Sequence, residues 1–346
     1  MADEWACVAS VLLAIALAHL MGAEMIAWAA FTAFVLLKSD VADTLVRGVL
    51  RITGTVLGVG LAFLIVPIAT RSLPVAMVSA AIVGAIGLYG MLTARRAYAW
   101  LLFGLTFEMI LLDKLERPAL DTIWFARTRL IEVFAGTLAC TIVSLAAATL
   151  GRRKWLAIRR PPGARMYWNR QAARHAVQAG LALAALPLLH RLFALPELAQ
   201  AGVTILAVMI VPVKGIGSSG FIPATRRLLH RAVGCLAGGG AALAVLVLAD
   251  GNPAILLAGT CIGIVIGRHI ENGLPSVNYI GLQFTLAVLF TLVPDSYSEA
   301  HITPAIQRLV SIFIGMAVLE PVLLAWHLVA PGEKSKAPAV ASDSSE

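Results

Sequence analysis

The chain has 346 residues, 60% of them hydrophobic and 13% charged, with a formal net charge of +8 and a mean hydropathy of +0.87. Soluble domains carry about 25% charged residues, so there are too few charges to cover two water-facing cores, and a soluble globular protein is excluded. The basic residues are strung between apolar runs without forming one basic face, which excludes a nucleic-acid partner and leaves the lipid bilayer as the natural solvent.

A hydrocarbon core of about 30 Å takes about 20 apolar residues of helix. In chain order, such runs fall near 5–22, 24–38, 44–69, 74–92, 96–112 and 122–150, and then near 169–192, 196–213, 223–249, 253–270, 276–293 and 302–328. An all-α integral membrane protein of about twelve transmembrane helices is expected. The runs at 24–38 and 196–213 are short or flanked by Pro, so they are expected to be tilted, broken or re-entrant, with ten spans as the smaller count. Met1-Ala2-Asp3-Glu4 has no basic region, and no cleavage site precedes the second run, so the first helix is expected to stay in the mature protein.

Lys and Arg accumulate in cytoplasmic loops. Between Gly151 and Arg174 stand Arg152, Arg153, Lys154, Arg159, Arg160, Arg165, Arg170 and Arg174 with no acid among them. Placing that stretch inside puts most of the 27 Lys and Arg residues inside and predicts that both termini are cytoplasmic. The expected organisation is a first six-helix repeat over 1–150, a basic cytoplasmic linker over 151–168, a second six-helix repeat over 169–329 and a disordered cytoplasmic tail over 330–346. The tail is Lys, Ser, Ala and Pro rich and too polar to pack a core.

The two halves resemble each other. Shifting the chain by about 180 residues aligns Arg51, Gly54, Gly58 and Gly60 with Arg231, Gly234, Gly238 and Gly240. One residue out of that register, Gly84 falls on Gly263, Trp100 on Tyr279, Thr106 on Thr285, and Arg129, Leu130, Phe134 and Gly136 on Arg308, Leu309, Phe313 and Gly315. An even number of spans per half predicts parallel repeats related by an axis along the membrane normal, with a site between them. Gly54, Gly58, Gly234 and Gly238 have the small-residue spacing that lets helix backbones approach closely.

Charges inside the runs call for an explanation, because each costs about 2.5–3.5 kcal/mol at helix centre. Arg47 with Arg51, and Arg227 with Arg231, stand at i and i+4 on equivalent helices. Their guanidinium forks match a carboxylate, so the four are candidate binding groups for a small organic anion; snorkelling to lipid phosphates is the competing reading. Arg129 and Arg308 are repeat mates, and Glu132 follows Arg129 by three residues, the spacing of an intrahelical pair. Glu108 lies about 18 Å down its helix with no basic neighbour in sequence, and Glu320 stands beside Pro321. Glu108, Glu132 and Glu320 are the candidates for proton coupling. Arg129, Arg308, Arg268 and Glu271 are read as structural charge partners, the last two at i and i+3.

Other signals are weaker. Cys7, Cys140, Cys235 and Cys261 are scattered singly and read as small core residues, and no metal-type spacing joins them to His. Histidines 175, 190, 230 and 327 are assigned no role. Gly215-x-Gly217-x-x-Gly220 matches a dinucleotide fingerprint as text but follows an apolar run rather than a βαβ strand. No cofactor, no metal and no enzymatic activity are expected, and no phosphate-binding loop is present, so energy has to come from a gradient or a partner.

The stretch Ile26 to Thr32, followed by Arg47-Gly48-Val49-Leu50-Arg51-Ile52-Thr53-Gly54-Thr55-Val56-Leu57-Gly58, resembles the signature of the fusaric acid resistance and aromatic acid exporter superfamily. Arg129 to Gly136 resembles the sixth helix of that family. The second half repeats the pattern with Cys235 where Thr55 stands in the first. The resemblance implies a bacterial inner-membrane exporter of organic, often aromatic, acids. It also implies a periplasmic membrane-fusion adaptor and an outer-membrane channel as partners, while distant relatives include plant malate channels. Many exporters of the family have a large cytoplasmic domain between the halves; this chain has only the basic linker. The reading is a secondary exporter of small organic anions driven by proton antiport. A passive anion channel and a scaffold subunit of a tripartite efflux assembly remain as alternatives, and homo-oligomerisation stays open.

Overall fold

The computed structural model describes residues 2–38, 40–151, 167–217, 219–294 and 302–329. Most of the basic linker and the tail from 330 lie outside the described residues. Twelve α-helices follow in order: α1 (Ala2–Leu20), α2 (Ile26–Leu36), α3 (Val41–Ala69), α4 (Leu73–Thr93), α5 (Ala97–Glu116), α6 (Thr122–Thr149), α7 (Arg170–Phe193), α8 (Leu198–Val208), α9 (Phe221–Ala249), α10 (Pro253–Asn272), α11 (Asn278–Leu292) and α12 (Ile302–Val329). A 3-10 turn at Val213–Gly215 lies between α8 and α9.

Each expected apolar run coincides with one of these helices, but they are not twelve equal spans. Among the described residues, eight helices are long and apolar enough to cross a membrane: α1, α3, α4, α6, α7, α9, α10 and α12. Helices α2 and α8 have 11 residues each and α11 has 15, which at 1.5 Å per residue is about 17 Å and about 23 Å, short of a 30 Å core. Helix α5 has 20 residues but carries Glu108, Asp113, Lys114 and Glu116.

The local breaks have visible causes. After Leu36 the chain turns extended at Leu37, and the Asp40 carboxylate then accepts from the Asp43 N–H to start α3. Helix α8 stops ahead of Pro212, whose ring disfavours helical geometry at the residue before it. Its start is set from another helix: both Glu116 carboxylate oxygens of α5 accept, one from Glu197 N at 2.8 Å and one from Leu198 N at 2.9 Å. That cap holds Glu197 at φ +50°, a left-handed conformation unusual for a residue with a Cβ.

Large apolar side chains face outward along the long helices, for example Val49, Leu57 and Leu64 on α3 and Leu236, Val247 and Leu248 on α9. In water such a surface would aggregate; against acyl chains it is the expected exterior. With no hydrophobic drive between helices in lipid, close contact comes through small residues. Gly54 and Gly58 of α3 meet the Ala99 and Phe103 carbonyls of α5, and Gly234 and Gly238 of α9 meet those of Ile280 and Phe284 of α11. Likewise Gly136 of α6 lies on Ala29 and Thr32 of α2, and Gly315 of α12 on Ala201 and Thr204 of α8. Between the halves, α4 packs along α7 and α1 along α10, while α5 meets α8 and α2 meets α11.

A methyl added at Gly58 would lie 2.7 Å from the Phe103 carbonyl oxygen, whereas one at Gly60 meets nothing within 4 Å. Overpacking of this kind costs about 1–3 kcal/mol. Gly58→Val is therefore expected to lower the melting temperature of the purified protein by several degrees or to prevent its accumulation. Gly60→Ala should melt with the parent, and equal melting of Gly58→Val would refute the contact.

Candidate functional site

The two halves meet around a cavity of about 160 Å³ walled by α2, α3, α5, α8, α9, α11 and α12. Its wall is mostly apolar; Arg308 borders it, and three further buried or half-buried arginines stand in it: Arg51, Arg227 and Arg231. Arg51 and Arg231, which the shift of about 180 residues aligns, are each 4% exposed. The Arg51 Nη1 donates to the Tyr98 hydroxyl at 2.7 Å, and its guanidinium lies 5.0 Å from the Phe31 ring. Arg231 donates to the Gln283 side-chain oxygen and, at 3.1 Å, to the Thr204 hydroxyl. Arg227 lies 3.9 Å from the Tyr279 ring centre and donates to the Ala207 carbonyl near the end of α8 at 3.2 Å.

None of the three has a carboxylate partner among the described residues, and the Nε of each lacks an acceptor there. A buried cation held by neutral groups, with a donor to spare, suits an anionic guest. Beside them Trp28, Phe31 and Phe290 form an aromatic cluster, Trp28 edge-on to the other two at 5.4 and 4.8 Å. Such rings favour edge or offset contact with a further ring. Cation and aromatic surface thus share one chamber.

The other candidate residues are distributed as follows. Arg47 does not line the cavity; it bonds Asp43 at 3.0 Å on its own helix, with both side chains partly exposed. Arg129 bonds Glu132 at 3.1 Å, both nearly without solvent contact. Arg308 donates to the Phe290 carbonyl at 2.7 Å and faces the cavity. Arg268 joins Glu271 at 3.0 Å and Asp3 of α1 at 2.7 Å, so its role reaches across helices. Both Glu320 oxygens accept from the Thr225 hydroxyl, tying α12 to α9. Glu108 is fully buried where α4, α5 and α7 meet, beside Gly84 and Leu183, and neither of its oxygens has a hydrogen-bond partner among the described residues. It lines neither chamber.

A second, more polar chamber of about 290 Å³ adjoins the first. It holds Arg129 and the Asp113–Arg117 pair, bonded at 2.8 Å, and is flanked by Glu24, whose carboxylate accepts from the Trp124 indole N–H. Trp28, Gln200 and Arg308 belong to the walls of both chambers.

Sequence reasoning missed several wall residues. Tyr98, Tyr279 and Gln283 hold the arginines, yet in sequence they are ordinary members of apolar helices. Trp28 and Phe31 lie inside the Ile26 to Thr32 stretch singled out for its resemblance, which was the available signal. His175 and His327 are also more connected than the sequence showed. The His175 ring nitrogens face the Gln178 side-chain oxygen and the Met209 carbonyl, Gln178 donates to the Ser219 carbonyl, and the Ser219 hydroxyl meets His327.

No curated protein and no solved structure matches the chain. The family model described as fusaric acid resistance protein-like matches residues 13–158 and 183–319, most of the chain, with one segment in each half. With helices suited to a bilayer and a cation-lined cavity between its halves, the chain belongs to the fusaric acid resistance protein-like family of membrane transporters.

Proposed function

We propose that the protein is a secondary exporter of small organic anions, aromatic acids foremost, working by proton antiport in the bacterial inner membrane. The observation that carries this reading is the set Arg51, Arg227 and Arg231: three cations in one largely apolar chamber, without carboxylate partners and each with an Nε lacking an acceptor among the described residues. Of the four arginines proposed for binding, Arg47 has the weakest case, since it lies outside that chamber. A carboxylate seated between Arg51 and Arg231 takes bonds from both halves, and a ring attached to it reaches Trp28, Phe31 and Phe290. Binding to both halves is what a site must do for the substrate to influence their relative movement.

Two parallel six-helix repeats, with both termini cytoplasmic, complete the proposal. The recurrence of the glycine contacts in α3 with α5 and α9 with α11, and the division of the family match into two segments, support the duplication. Helices α2, α8 and α11 then cross only part of the bilayer, which is tolerated where their ends are held by protein, as Glu116 holds the start of α8. A membrane-fusion adaptor with an outer-membrane channel remains the proposed assembly. Proton movement is assigned to Glu108 or Glu132, with Glu320 third because Thr225 already engages it.

A passive anion channel is the second reading, favoured by the position of Glu108 outside both chambers. The test is efflux of a hydroxybenzoate from proteoliposomes of purified protein, with and without an imposed pH gradient. The membrane potential contributes about 2.3 kcal/mol per charge per 100 mV, so voltage is clamped while the pH gradient is varied, and is stepped in a third arm without a gradient. Flux that rises with the gradient and collapses with a protonophore supports the exporter. Flux that follows voltage alone makes the protein a channel, and no flux for a panel of organic anions refutes both readings.

A further inference from the structure

We infer that Trp28 is the side chain that separates the central cavity from the polar chamber, and that the Arg129 cation holds it in the closed position. The inference rests on the exporter reading only for the direction in which substrate moves. Three wall residues, Trp28, Gln200 and Arg308, are common to the two chambers, so the boundary between them is built from these side chains. Trp28 is the third residue of α2 and Gln200 the third residue of α8. The two short helices therefore present equivalent positions to the same boundary, one filled by an indole and the other by a smaller amide.

The indole is held from several directions. On the cavity side its ring meets Phe31 and Phe290 edge-on. On the polar side the Arg129 guanidinium lies 4.6 Å from its centre. Desolvated contacts of this kind are among the stronger cation–π interactions. Arg129 is in turn fixed by Glu132 at 3.1 Å and by the Met25 sulfur at 3.2 Å. Arg308, donating to the Phe290 carbonyl at 2.7 Å, steadies the opposite edge of the same aromatic cluster. Glu132 and Arg129 thus have a positioning role, acting on the path through Trp28, in addition to the pairing of two charges.

The test uses the full-length protein with its four cysteines replaced by Ser and one reporter cysteine introduced at a time, in sealed vesicles treated with a membrane-impermeant thiol reagent. Glu24→Cys, in the polar chamber, identifies the side to which that chamber opens. From that side Leu286→Cys, in the cavity wall, is expected to react at least ten times faster once Trp28→Ala is added, and several times faster with Arg129→Gln. Trp28→Phe, which keeps a ring at the boundary, should stay close to the parent rate. Unchanged Glu24→Cys labelling and a monodisperse elution profile establish that each variant is folded. Equal Leu286→Cys labelling with Trp28 and with Trp28→Ala, in folded protein, would overturn the inference. Accelerated labelling in a protein that transports no organic anion would leave the boundary standing and sink the exporter reading instead.

Discussion

Arg231→Gln is expected to weaken binding of a benzoate-type anion by about 30-fold, the equivalent of about 2 kcal/mol for a charge-assisted hydrogen bond to a buried carboxylate. The guanidinium of Arg231 is presented by Gln283 on one side and Thr204 on the other, so its orientation is fixed before any ligand arrives. Arg231→Lys should therefore rescue little, because a lysine replaces the planar fork with a single point charge. Arg51→Gln is expected to fall in the same range, since Arg51 is equally buried and has only the Tyr98 hydroxyl as a hydrogen-bond partner among the described residues. Arg47→Gln should weaken binding by less than about threefold, as expected for an exposed intrahelical pair. Titration calorimetry of the four variants in detergent reads these differences directly. Equal losses for Arg47→Gln and Arg231→Gln would place the anion away from the central cavity.

Glu108→Gln is expected to remove the response of flux to a pH gradient, by at least tenfold, while voltage-driven flux of the same anion persists. Glutamine has nearly the shape of glutamate, so the packing against Gly84 and Leu183 is retained and the change is one of ionisation alone. An unpaired charge in a dry interior costs several kcal/mol. A carboxyl at the junction of α4, α5 and α7 can therefore change its charge only when water or a partner reaches it. Because α4 and α7 belong to different halves and pack together over it, their separation is one way to provide that access. Movement between the halves would in this way allow Glu108 to ionise, although the residue touches neither chamber. Persistence of the gradient response in Glu108→Gln would move the coupling to Glu132, for which the parallel measurement is Glu132→Gln. If both variants keep parental gradient-driven flux, neither carboxyl carries the proton.

Much of the architecture was legible from apolar run length, because a bilayer imposes that length on every spanning helix. Run length did not distinguish a long spanning helix from a short helix continued by apolar loop. Around α8, for example, Leu195 to Val213 is apolar throughout save for Pro196, Glu197, Gln200, Thr204 and Pro212, yet the helix covers only Leu198–Val208. The similarity of the two halves was also legible, and the glycine contacts recur in α3 with α5 and in α9 with α11. The same similarity aligned Arg51 with Arg231, and the family resemblance rested on that segment.

What holds those arginines was not legible. Tyr98 stands 47 residues from Arg51, and Gln283 stands 52 residues from Arg231. Nothing in local periodicity joins them, because each contact is made across α3 and α5 or across α9 and α11. The cap on α8 belongs to the same class, as does Trp28: their function depends on what another helix places opposite them.

By itself, then, the sequence determined the solvent, the helical class, the internal similarity and the cationic character of a site. Those properties follow from composition and period, which act residue by residue along the chain. The tertiary structure alone decided which arginines share a chamber, that Arg47 is outside it, and that Glu108 is sealed between the halves. It also set an indole at the boundary of two cavities. These are outcomes of helix packing, in which glycine contacts fix separations and rotations, and small changes in either decide whether a side chain faces lipid, a neighbour or the cavity.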